Sequence, residues 1–130
     1  MPTFPALGHV AVTVNDLDVS RPWYTTLFGA APVLDEDTGP WHHVVWMLNG
    51  TLIGIHQHKN PSSSEAFDEL RPGLDHLAFH CANRAELEEW ESHLNEIGVK
   101  HGGIVDASYG SGLSFRDPDN IALEFFAPPG

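Results

Sequence analysis

This chain of 130 residues has nine histidines, and two of them occupy matching places in an internal repeat. Gly8-His9-Val10-Ala11 lies over Asp75-His76-Leu77-Ala78, and the same offset brings Trp23 over Trp90 and Leu27 over Leu94. Two copies of one unit therefore each open on a strand that carries a histidine, and the second copy closes on a strand that carries Glu124. Two imidazoles and a carboxylate can hold a divalent metal, and side chains that alternate along strands can aim all three into one cavity. A small metalloenzyme is the first reading.

The strands that must position these groups are legible from their alternation. Over residues 7–14, Val10, Val12 and Val14 point one way while His9, Ala11 and Thr13 point the other. Over 74–81, Leu77, Phe79 and Cys81 oppose His76, Ala78 and His80, and over 121–126, Ile121, Leu123 and Phe125 oppose Ala122, Glu124 and Phe126. Each chemically active residue thus has an alanine two positions away, which leaves room for a ligand. Glu124 lies between Leu123 and Phe125. An unpaired carboxylate there costs on the order of several kcal/mol, so a positive group is expected to meet it. Arg116, on the neighbouring strand, is the structural alternative to a metal.

The remaining elements repeat in order. A helix capped by Asp18 or Ser20 is expected first, with Pro22 in its first turn, an apolar stripe of Trp23, Leu27 and Phe28, and Gly29 as its stop. Strands follow over 31–36, 42–48 and 51–58, the last two joined by the hairpin turn Asn49-Gly50. The polar stretch 59–73 reads as a linker long enough to let subunits exchange halves. In the second copy, Asn83 and Glu86 form a capping box before the stripe Leu87, Trp90, Leu94, Ile97, which Gly98 closes. Strands near 103–106, 112–115 and 121–126 complete it, with Asp117-Pro118-Asp119-Asn120 as the last turn. The expected fold is α+β: two βαβββ modules whose mixed sheet curls into a cup with the helices outside.

Composition excludes several function classes. The formal net charge is −12 with no Lys/Arg run, so nucleic acid and anionic membrane are poor partners. No apolar run approaches the roughly 20 residues of a membrane span. The first residues, Met1-Pro2-Thr3-Phe4-Pro5, show no signal-peptide pattern, and Cys81 is the only cysteine, so no internal disulfide forms. A soluble cytoplasmic protein is expected.

These residues resemble the vicinal oxygen chelate superfamily, the glyoxalase I, bleomycin-resistance, fosfomycin-resistance and extradiol-dioxygenase group. The carriers are the run His9-Val10-Ala11-Val12-Thr13-Val14-Asn15-Asp16-Leu17-Asp18, Trp23-Tyr24, Leu27, Gly29, Asp75-His76-Leu77-Ala78-Phe79, Phe115-Arg116-Asp117-Pro118-Asp119 and Ala122-Leu123-Glu124-Phe125. The resemblance implies a single domain over 1–130, built from modules at about 5–58 and 74–127 joined by 59–73. It also implies a divalent metal (Fe, Mn, Zn or Ni) on His9, His76 and Glu124, a small oxygen-chelating substrate, and a homodimer whose sites are often shared. The fourth carboxylate ligand of glyoxalase-I-like members falls on Gly54, so that ligand is missing. An extradiol-dioxygenase-like enzyme is the most concrete version, with His56 or Tyr109 as acid–base residue. His56 can equally be a fourth ligand, a substrate contact or a plain strand-end histidine, and Tyr109 a turn residue. His58 and His80 are expected to be surface residues, and His42, His43, His93 and His101 solvated. The alternative is a metal-free binding protein of the bleomycin-resistance type, with Trp41, Trp46 and Phe126 as a stacking surface.

Overall fold

The computed structural model describes residues 1–130 as two compact units, Met1–Ser64 and Glu65–Gly130, and the break falls inside the expected linker. The first unit contains β1 (His9–Thr13), α1 (Leu17–Phe28), β2 (Leu34–Asp37), β3 (Trp41–Leu48) and β4 (Thr51–His58). The second contains β5 (Leu77–His80), α2 (Arg84–Glu96), β6 (His101–Ala107), β7 (Gly110–Arg116) and β8 (Ala122–Ala127). Each unit folds its own four-stranded mixed sheet, in the orders β1-β4-β3-β2 and β5-β8-β7-β6. In both, the first strand runs parallel to the last and the remaining neighbours are antiparallel. The α+β reading with two βαβββ modules holds.

In each unit the helix packs on one sheet face, in part through aromatic rings. Tyr24 and Phe28 of α1 lie 6.2 and 5.3 Å from the ring of Trp46, which is fully buried and donates its indole N–H to the Ala30 carbonyl. In the second unit, Trp90 of α2 stacks on Phe125 at 4.2 Å and 14°, with Leu87 and Leu94 buried beside it. The valine face of β1 packs inward, whereas His9, Ala11 and Thr13 stay exposed, as do His76, Ala78 and His80 in the second unit. Packing on one side therefore leaves the histidine-bearing side free.

Two local expectations need correction. Helix α1 is capped by Asp16, not by Asp18 or Ser20: the Asp16 carboxylate accepts the Asp18 N–H at 2.9 Å, and the Gln57 side-chain oxygen accepts the Leu17 N–H at 2.8 Å. With its first donors satisfied there, the helix starts at Leu17, and Pro22 lies inside it rather than in its first turn. The earlier start gives the helix a buried stripe of Leu17, Ser20, Tyr24 and Leu27, at 3- and 4-residue spacings that keep one face inward. Trp46, expected on the stacking surface, points the other way into the core because it shares parity with Val44 on β3.

Other turn chemistry agrees. Asn49 (φ 48) and Gly50 (φ 87) form the left-handed two-residue hairpin turn, and Gly29 (φ 64) ends α1. Asn83 caps α2 by accepting the Glu86 N–H, although the Glu86 carboxylate reaches back to the Ala82 N–H rather than to Asn83 itself. No helix is long and apolar enough to cross a membrane. Trp46→Ala is expected to lose roughly 3–5 kcal/mol of stability in urea unfolding, the usual cost of emptying a large aromatic site.

Candidate functional site

Glu124 stands on β8 with Ala78 of β5 and Ser114 of β7 as its lateral neighbours. Its side chain is 19% exposed, and the one ionisable partner it meets is His76, whose Nε2 lies 3.6 Å from Oε2. The other imidazole nitrogen, Nδ1, is held at 2.7 Å by the Asp75 carboxylate. That contact fixes the ring and leaves Nε2 facing Glu124, an arrangement that commonly supports metal-binding histidines. Two donors bound to one cation at tetrahedral geometry stand roughly 3.4 Å apart, so the observed spacing suits a shared ion. Gly112 provides the clearance: a Cβ there would lie 3.0 Å from Glu124 Oε1.

Arg116, the alternative partner for Glu124, is engaged elsewhere. Its guanidinium grips Glu69 through two hydrogen bonds of 2.9 Å and also donates to the Asn120 carbonyl. The Arg116 hydrogen bonds hold the Glu69 carboxyl down at about 2.

Tyr109 lies in the turn before β7, 74% exposed, with its ring stacked on Phe126 at 6.2 Å and 11°. Phe126 shares the face of Glu124 and lies across Gly110, where a Cβ would come within 2.3 Å of the ring. Cys81 is buried, and burial pushes its thiol up to about 11.

In the first unit, His9 opens β1 opposite Leu52, and Ala11 sits opposite Gly54. Since Ala78 sits opposite Glu124, the ladders equate Gly54 with Glu124 and confirm that β4 brings no carboxylate to this place. His56, two residues on, is surrounded by rings. It lies 5.2 Å from His43, 6.1 Å from His58 and 6.4 Å from Trp41, the last nearly parallel to it at 20°. Burial, then the neighbouring His43 and His58, lower its pKa below the ordinary histidine value. His43 is thus a half-buried neighbour of His56 that also approaches Glu36 at 3.4 Å.

His42, His43, His93 and His101 are partly exposed to solvent, as expected, and each also meets a side-chain partner. His42 is bound to Asp35, whose carboxyl that hydrogen bond draws below its usual range, and His101 bonds the Asn95 side chain at 2.7 Å. His93 packs edge-on to Trp90 and approaches Glu96 at 3.6 Å. The pairing of β2 with β3 brings His42 and His43 to their partners, whereas His93 meets residues of its own helix and His101 meets a residue of α2. His58 and His80 are exposed, as expected.

A cleft of about 370 Å³ in the first unit lies between the start of α1 and the ends of β3 and β4, with Trp41 and His58 on its wall. Nowhere does the chain gather three or more His, Cys, Asp or Glu side chains in an arrangement that would hold a metal. His76 and Glu124 are brought together, and the proposed third donor, His9, belongs to the other unit.

The model of the Glyoxalase/Bleomycin resistance protein/Dioxygenase superfamily matches residues 6–125. The chain belongs to this superfamily. A crystal structure of a glyoxylase/bleomycin resistance protein/dioxygenase domain from Frankia sp. EAN1pec superimposes with a TM-score of 0.86 at 32% identity, covering 98% of this chain and 100% of that one. Metallothiol transferase FosB of Bacillus licheniformis is 26% identical over 91% of this chain and 72% of its own length. Glyoxylase I 4 of Arabidopsis thaliana is 29% identical, over 92% of this chain and 68% of its own. The superfamily thus brings enzymes of different chemistries onto one fold, and the fold does not choose among them.

His56 provides a pH signature. The unfolded chain takes up this proton near the ordinary histidine value of about 6.5, whereas the folded chain does so only at lower pH. Its contribution to stability is therefore present above that value and is lost as pH falls towards the lowered one. An NMR titration should place His56 below the ordinary histidine value, and His43→Asn and His58→Asn should each move it part of the way back.

Proposed function

We propose that this protein is a divalent-metal-dependent enzyme acting on a small molecule that presents oxygen donors, with His9, His76 and Glu124 as the protein ligands. The observation that carries the reading is Glu124: a largely buried carboxylate on an apolar strand that faces one oriented imidazole while the nearby arginine is committed to Glu69. A divalent ion bound there would supply Lewis-acid stabilisation of negative charge developing on the substrate oxygens. Asp75 holds the His76 ring in its binding tautomer, and Ala78, Ala122 and Gly112 keep the approach to Glu124 clear.

His9, from the same chain or from a second copy in a homodimer, supplies the third donor. His56, kept neutral by its surroundings, accepts a substrate proton, and Tyr109 offers its hydroxyl beside Phe126. An extradiol-dioxygenase-like reaction on a catechol is the most concrete version. A metal-free binding protein is the second reading, favoured by the exposed Trp41 ring and the Tyr109–Phe126 ring stack.

Elemental analysis after reloading with Fe(II), Mn(II), Ni(II) or Zn(II) decides between them. About one ion per chain is expected for the native protein, with loss of the ion in His76→Ala and Glu124→Gln and affinity reduced about 10- to 100-fold in Asp75→Asn. Metal well below stoichiometric after reloading overturns the enzymatic reading and favours the binder. For the catechol version, oxygen uptake by the Fe(II)-loaded protein is the readout, and no uptake with any catechol removes it. Mixing His9→Ala with Glu124→Ala chains locates the third donor: metal recovered in the mixture places it across two copies, and none recovered places it within one.

A further inference from the structure

The first unit carries a constellation that the metal reading does not use. Across the β3–β4 ladder Trp41 pairs with His58 and His43 with His56, so four rings share one sheet face. Trp41 is 37% exposed and stands 6.4 Å from both His56 and His58, within the range of interacting aromatic pairs. Trp41 and His58 also line the cleft of about 370 Å³, which Leu17, Arg21, Gln57 and Lys59 help to enclose. That volume suits a small organic ligand.

The charges around this cleft are unequally committed. Arg21 binds Asp35 at 2.9 Å and stands 3.9 Å from Asp18, while the Asp37 carboxylate accepts the Gly39 N–H at 2.9 Å. Lys59 makes no ion pair, whereas every arginine of the chain does. An exposed ring wall beside an uncommitted ammonium fits a flat molecule bearing one negative group. Asp18 and Asp37 also line the cleft and offset Arg21 and Lys59, and Lys59 is the cation of the cleft that no carboxylate holds.

We propose that this cleft is a binding site for a small aromatic carboxylate, with its ring on Trp41 and its carboxylate on Lys59. All the residues that line the cleft belong to the first unit, so the proposal stands or falls separately from His76 and Glu124.

The test uses the full chain with metal chelated and 2-naphthoate as the probe, followed by tryptophan fluorescence and calorimetry. Saturable binding of one molecule per chain is expected. Trp41→Leu and Lys59→Gln should each weaken it about tenfold, equivalent to about 1.4 kcal/mol, while Lys59→Arg retains it. The uncharged analogue 2-naphthylmethanol should bind more weakly than the carboxylate, and Glu124→Gln should bind 2-naphthoate as the native chain does. No saturable binding, or equal binding by native, Trp41→Leu and Lys59→Gln proteins of unchanged circular dichroism, overturns the proposal. Loss of binding in Glu124→Gln would likewise overturn it, by assigning the probe to the metal donors instead.

Discussion

A carboxylate placed among apolar neighbours must be met by positive charge or hydrogen-bond donors, because desolvation otherwise costs several kcal/mol on the usual order of magnitude. Glu124, 19% exposed, is partly in that position. Arg116, two ladder positions away on β7, would neutralise it if free, yet Glu69 and the Asn120 carbonyl occupy its guanidinium. What Glu124 meets is the Nε2 of His76, oriented from behind by Asp75. Gly112 supplies the space in which the carboxylate sits. The result is a pair of donors with the spacing and orientation to share a cation.

Both units keep one sheet face free by the same means. Aromatic side chains on the helix and on the covered face, Tyr24 with Trp46 in one and Trp90 with Phe125 in the other, concentrate apolar burial on one side. The opposite face then has no helix to satisfy and can carry small residues and ionisable groups. The two copies use that freedom differently. The position occupied by Glu124 in the second unit is Gly54 in the first, where the face is instead populated by His43, His56, His58 and Trp41. Duplication supplied the scaffold twice, and side chains at equivalent ladder positions gave the copies different chemistry.

Strand and helix order, the hairpin at Asn49-Gly50, the stop at Gly29 and the exposure of the histidine faces were legible from period-2 alternation and turn chemistry alone. Each depends on neighbours in sequence. The cap of α1 was misplaced because the decisive acceptors, Asp16 and Gln57, act together, and Gln57 comes from a strand forty residues away. Pro22, a strong local signal, drew the expected helix start towards itself. Trp46 was misread as ligand-facing because its residue type suggested stacking, while its parity with Val44 on β3 commits it to the core.

The amino-acid sequence by itself determined the duplicated βαβββ units, the family to which they belong and the face on which His9, His76 and Glu124 lie, since alternation along a strand is a local property. Only the tertiary structure decided that Arg116 is engaged with Glu69, that Asp75 orients His76, and that His43 and Trp41 surround His56. The surroundings of His56 depend on the register of β3 against β4, the Arg116–Glu69 pair joins residues 47 apart in sequence, and the Asp75–His76 contact depends on the path of the chain just before β5. A one-residue slip of β3 against β4 would part Trp41 and His43 from His56 by turning one strand's side chains to the other face, and nothing in the spacing of isolated residues records the choice.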